Sequence, residues 1–139
     1  MIIAIDFGGC VAKQTDAGLV MKRGAPEALA SLKRAGHVLL LYSSRTNRAL
    51  QHLPEFDPLV ANGTLGSAQT DETRETAARR DREMRAFVAV MLPGVFDAID
   101  DGRQGKPVVD LFIDNKAVAF GGAYGMDWPA LAALYGEPE

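Results

Sequence analysis

Met1-Ile2-Ile3-Ala4-Ile5-Asp6-Phe7-Gly8-Gly9-Cys10-Val11 is the stretch that decides the fold. A short apolar run, rich in isoleucine, stops at an aspartate and is followed at once by a glycine turn. Such a run reads as a fully buried strand, the type that parallel sheets use. In an open parallel sheet, ligands sit just beyond the carboxyl ends of the strands. Asp6 is therefore expected where chemistry is done, with Gly8 and Gly9 letting the backbone curl around it. Gly8 is the oddity. A second carboxylate two residues past Asp6 would complete an acid–base pair, and glycine supplies none.

Working outward, Gly24-Ala25-Pro26-Glu27 opens a helix. Pro26 suits a first helical position, and Glu27 suits the positive end of the helix dipole. Leu29 and Leu32 mark its buried face, and Gly36 stops it. His37-Val38-Leu39-Leu40-Leu41-Tyr42 is a second apolar strand closing on Ser43-Ser44-Arg45. Strand, helix and strand within about 40 residues make a βαβ unit with a right-handed crossover.

Residues 46–53 are expected as a short helix and 54–66 as loop. A helix is expected from Thr70 to about Met91, with Met84, Phe87, Val88 and Met91 at i, i+3, i+4 and i+7 on one apolar face. Its other face interleaves Arg74, Arg79, Arg80, Arg82 and Arg85 with Glu75, Asp81 and Glu83, the alternation of a solvated surface. Pro93-Gly94 ends it. Val95 to Ile99 reads as a third strand and Val108 to Ile113 as a fourth, ending at Asp114. Val118-Ala119-Phe120 reads as a fifth, and Trp128 to Tyr135 as a closing helix. The alternation predicts a single domain over residues 1–139, a doubly wound, Rossmann-like α/β parallel sheet of about five strands.

At 139 residues, 47% hydrophobic and 24% charged, the chain has the composition of a globular domain with a real core. A net charge of −3 gives no electrostatic case for nucleic acid or an anionic membrane as partner. The single cysteine, Cys10, excludes an internal disulfide and fits a reducing cytoplasm. No apolar stretch approaches the roughly 18–20 residues that span a bilayer. No basic region precedes the first apolar run, so a cytoplasmic location is expected. His37 and His52 lack metal-ligand spacing.

Three expected strands end in a polar group, Asp6, Ser43 and Asp114, and Lys106 opens the loop into the third of them. Parallel strands bring these ends to one rim. The residue types suit phosphoryl transfer. A carboxylate can attack phosphorus, a hydroxyl and an ammonium can hold phosphoryl oxygens, and a second carboxylate can share a magnesium ion with the first.

This order and spacing resemble the haloacid dehalogenase (HAD) superfamily, mostly magnesium-dependent phosphatases. Ile2-Ile3-Ala4-Ile5-Asp6-Phe7-Gly8-Gly9-Cys10 resembles the nucleophile motif, hydrophobics before Asp-x-Asp-Gly-Thr/Val. Leu39-Leu40-Leu41-Tyr42-Ser43-Ser44-Arg45 resembles the second motif, Lys106-Pro107 the third, and Leu111-Phe112-Ile113-Asp114-Asn115-Lys116 the fourth. The resemblance implies that Asp6 is the nucleophile and a magnesium ligand. It implies that the carbonyl of Gly8 and the carboxylate of Asp114 are further ligands. Ser43 and Lys106 would bind the phosphoryl group, with Gly9, Ser44 and Arg45 beside it.

Gly8 departs from that pattern at the aspartate that protonates the leaving group, and Asn115 departs at a common second acid. General acid–base catalysis contributes roughly 10²–10⁴ in rate, or about 3–5 kcal/mol of barrier. Chain length leaves no room for a large cap domain, so an open site is expected, suited to phosphate on bulky or polymeric substrates or closed by a homo-oligomer partner. Two readings follow. One is a weak magnesium-dependent phosphohydrolase working through an aspartyl-phosphate on Asp6. The other is a catalytically inactive fold that binds magnesium and a phosphorylated ligand. A phospho-receiver domain also uses Asp, Thr/Ser and Lys, but its aspartate ends a later strand. Ser43 and Ser44 have a simpler role open to them as helix caps, and Asp114-Asn115 as a turn.

Overall fold

The structure, a computed structural model, describes residues 1–43, 45–46, 58–101, 107–114 and 127–138. In chain order the elements are β1 (Ile2–Asp6), β2 (Ala12–Thr15), β3 (Gly18–Met21), α1 (Ala25–Arg34), β4 (Val38–Tyr42), α2 (Pro58–Ala61), α3 (Ser67–Met91), β5 (Ala98–Ile99), β6 (Leu111–Ile113) and α4 (Trp128–Tyr135). Four strands form an all-parallel sheet in the order β5-β4-β1-β6, and β2 with β3 forms a separate antiparallel hairpin. The chain is an α/β protein. Among the described residues no helix is long and apolar enough to cross a membrane.

Register sorts the sheet into two faces. Ile3 pairs with Leu39 and Leu111, while Ile5 pairs with Leu41 and Ile113. These side chains share one face, and they join a single buried cluster with Leu29 and Leu32 of α1, Met84 and Val88 of α3, and Trp128 and Leu131 of α4. The next rung, Ala4 with Leu40 and Phe112, faces the other way and lies outside that cluster. There the rings of Tyr42 and Phe112 meet edge-on, 5.9 Å apart between centroids. Helices α1, α3 and α4 thus feed the core on one face.

Helix α1 follows its sequence signals closely. Pro26 sits in its first turn, Glu27 at its start, and Lys33 and Arg34 in its last turn. Gly36 follows with φ 89°, the left-handed backbone that glycine adopts without penalty.

Elsewhere the expected bounds shift. The segment after β1, expected as loop, contains the β2–β3 hairpin, in which Asp16-Ala17 turns the chain and Gly18 takes φ 113°. Part of the loop expected over 54–66 is the short helix α2, and α3 starts at Ser67, before Thr70. The third strand is only Ala98–Ile99, and Asp97 before it donates its N–H to Leu39 O and accepts Leu39 N–H at Oδ2, both at 2.8 Å. The fourth is only Leu111–Ile113, with Val108 97% exposed. Along α3 the buried line is Met84, Val88 and then Leu92, while Met91 is 51% exposed. The fifth strand expected at 118–120 and most of the helix expected at 46–53 lie outside the described residues.

Candidate active site

The sheet assembles a polar rim at the carboxyl ends of its strands. Asp6 ends β1 and pairs with Tyr42 of β4. Asp114 follows Ile113, the partner of Ile5, so it stands one strand over from Asp6 and at the same level. Adjacent strands lie about 4.8 Å apart, which makes the two carboxylates neighbours although 108 residues separate them. Ser43 follows Tyr42 on the other side. The three strand ends expected to converge on one rim do converge.

A fourth polar group, and third carboxylate, joins them. Asp100 follows Ile99, the partner of Leu41, and its N–H donates to Leu41 O at 2.8 Å. All four strands of the sheet therefore end in a polar residue. Sequence reading passed over Asp100, although an acid directly after an apolar strand is the signal that singled out Asp6 and Asp114.

The turn after Asp6 is built around one carbonyl. Phe7 O accepts from the N–H groups of Cys10, Val11 and Ala12 at 3.3, 2.9 and 3.2 Å. Gly9 takes φ 81° and donates its N–H to Ala12 O at 2.9 Å. Gly8 differs. Its φ is not positive, and a Cβ built on it meets nothing within 4 Å. No strain or crowding demands glycine at position 8.

The same turn is pinned at its far end. The indole N–H of Trp128 donates to Cys10 O at 2.7 Å, and the Cys10 thiol donates to Ile113 O at 3.9 Å. Both Cys10 and Trp128 are fully buried. Cys10 therefore ties the turn after Asp6 to the strand that ends at Asp114.

Ser43 is buried, and its hydroxyl accepts from Arg45 N–H at 3.1 Å, while its carbonyl accepts from the buried Thr46 hydroxyl at 2.9 Å. This is the capping role for a helical turn. Accepting leaves the serine proton available to donate.

Arg45 is only 8% exposed. Its guanidinium lies 5.3 Å from the Phe7 ring centroid and donates to Arg80 O at 3.0 Å and to Gln14 Oε1 at 3.1 Å. Burial, and next the nearby Arg80 cation, push its pKa down, against the pull of Glu83. The resemblance sets Arg45 beside substrate; the structure sets it across β4, β2 and α3. Beside it lies a groove of about 590 Å³ lined by Gln14, Asp16, Leu19, Glu83 and Phe87 among others.

Asp110 stands at the opposite end of the sheet, where its carboxylate accepts from Ile2 N–H at 2.7 Å. His37 ties the chain ends, with Nε2 2.7 Å from Tyr135 O and Nδ1 3.1 Å from the Met1 amine. Ser44, Lys106 and Asn115 lie outside the described residues.

Among the described residues no three His, Cys, Asp or Glu side chains form a metal-holding group. The donor set at the rim is instead two neighbouring carboxylates, Asp6 and Asp114, with backbone carbonyls in the turn beside them. Hard oxygen donors of that kind fit magnesium, which takes one or two carboxylates and fills its shell with water and substrate phosphate. Comparison of the chain with models of protein families, with curated proteins and with solved structures finds no match in any of the three.

Proposed function

We propose that the protein is a capless, HAD-type phosphohydrolase of low intrinsic rate. The observation that carries this reading is the register that sets Asp6, Ser43 and Asp114 at the ends of three adjacent parallel strands. Rossmann-like double winding belongs to the same proposal.

In this mechanism an Asp6 carboxylate oxygen attacks phosphorus, and the bond from phosphorus to the leaving oxygen breaks with its electron pair going to that oxygen. Ser43 and Lys106 hold the phosphoryl oxygens, because the N–H groups of Gly9, Cys10, Val11 and Ala12 are spent inside the turn. Water then adds to phosphorus, the bond to Asp6 breaks, and inorganic phosphate leaves as the carboxylate is restored. Asp6, Asp114 and the carbonyl of Gly8 would hold magnesium, which offsets repulsion between the carboxylates and the substrate anion. With no acid at position 8, the leaving group must depart as an anion. Aryl and acyl phosphates satisfy that condition; simple alkyl esters do not.

Hydrolysis of an aryl phosphate with magnesium tests this. Asp6→Asn is expected to abolish turnover, and Gly8→Asp to raise it about 100-fold or more on poor leaving groups. Unchanged turnover in Asp6→Asn removes the mechanism. The open space at Gly8 favours a second reading, a binding module for magnesium and a phosphorylated ligand. Saturable binding by a silent protein, with activity appearing only in Gly8→Asp, selects that reading.

A further inference from the structure

We propose that Arg45 is a positioning residue for the Asp6 strand end, bracing the Phe7–Ala12 turn through the Phe7 ring and the β2–β3 hairpin. Where it speaks of catalysis, the inference rests on the phosphohydrolase reading above.

A buried guanidinium is costly unless its donors are used. Arg45 spends two of them on neutral acceptors in other elements, Gln14 Oε1 in β2 and Arg80 O in α3. Its flat face lies against Phe7, a cation–π contact that a buried site strengthens. Phe7 is held from a second direction by the Phe87 ring, edge-on at 5.9 Å and 76°. The Phe7 ring therefore cannot swing without breaking one of these contacts.

Phe7 is also the hub of the turn. It directly follows Asp6, and its carbonyl gathers three amide donors. That Phe7–Gly8 peptide is the first one past the residue after Asp6, so fixing it fixes how the chain leaves β1. Through Cys10 O the turn then reaches Trp128, the only tryptophan in the chain. Arg45 thus sits at one end of a chain of contacts and a unique fluorophore at the other, with Phe7, the neighbour of Asp6, at its centre. An arginine that merely filled the core would have no reason to touch the turn, the hairpin and α3 at once.

The test uses the full chain with Arg45→Met, Arg45→Lys and Gln14→Ala. Amide hydrogen exchange at Cys10, Val11 and Ala12 is compared with exchange at Ile5 and Leu41, together with Trp128 emission. In Arg45→Met, exchange in the turn is expected to rise about tenfold, while Ile5 and Leu41 stay within about twofold, and the emission shifts. Arg45→Lys keeps the charge without the fork and is expected to resemble Arg45→Met. Uniform acceleration everywhere, or none in the turn, overturns the proposal.

If Arg45→Met fails to fold, Gln14→Ala decides, because it cuts one part-buried contact of an exposed side chain and is expected to raise exchange only in the turn. No local rise there overturns the brace. In the aryl phosphate assay kcat is expected to fall about tenfold with KM nearly constant, the mark of a misplaced reacting group. Absence of hydrolysis in every protein removes the phosphohydrolase reading and leaves the exchange result to decide Arg45. Hydrolysis with an unmoved turn removes the brace alone.

Discussion

Positions 8 and 9 are both glycine, and they behave differently. Gly9 takes φ 81°, where an L side chain costs roughly 1–2 kcal/mol, whereas Gly8 has ordinary backbone and open space around it. Gly8→Asp is accordingly expected to unfold within about 0.5 kcal/mol of the natural protein, and Gly9→Ala to lose about 1 kcal/mol or more; urea unfolding of both checks this. Asp97 offers a pH test. The Lys33 ammonium, with help from Leu39 N–H, holds its carboxyl below the usual carboxylate range. A depressed pKa contributes stability above the unfolded value, about pH 4, and loses it as pH falls through the folded value. Asp97→Asn should therefore cost about 0.5 kcal/mol near neutrality, a gap that closes as pH drops below about 4. Asp6, Ser43 and Asp114 were legible because each ends an apolar run. The bracing of Arg45 was not, because its partners Phe7, Gln14 and Arg80 are set by tertiary packing and carry no local signal.

At the scale of elements, α1 was legible to within a residue or so because proline, glutamate and glycine mark its ends. The hairpin was not. Ala12-Lys13-Gln14-Thr15 has no apolar run, and its strand identity comes from pairing with β3 and from the bond of Lys22 N–H to Val11 O at 2.8 Å. Helix α4 gains its place from Trp128, whose indole joins it to the turn at Cys10. Trp128→Phe leaves the buried Cys10 carbonyl without that donor and opens space beside it, and is expected to lower stability by about 2 kcal/mol. Chemical denaturation followed by circular dichroism measures it, since the variant has no tryptophan to report.

Over the whole molecule, the α/β class and the parallel sheet followed from alternating apolar runs and helical periodicity. What alternation could not tell is that α1, α3 and α4 load one face of the sheet, because both faces of a buried strand read as apolar. The cost of truncation should follow burial. Ile5→Ala, in the main cluster, is expected to cost about 2–5 kcal/mol, whereas Val108→Ser, fully in solvent, should stay within about 0.5 kcal/mol; thermal melts of the pair settle it.

The placing of β1 at the centre of the sheet has a consequence for assembly. Its neighbour on one side, β4, is near in sequence, but its neighbour on the other, β6, bonds to it across 108 residues, as the Asp110–Ile2 bond shows. Closing such a span is slow, because loop entropy must be overcome before the contact rewards it. Asp6 and Ser43 can meet through the short β1–β4 connection, while Asp114 joins them only when β6 docks. The carboxylate pair is thus assembled by the long-range closure and not by the local one, so any phosphate chemistry it performs waits on that docking.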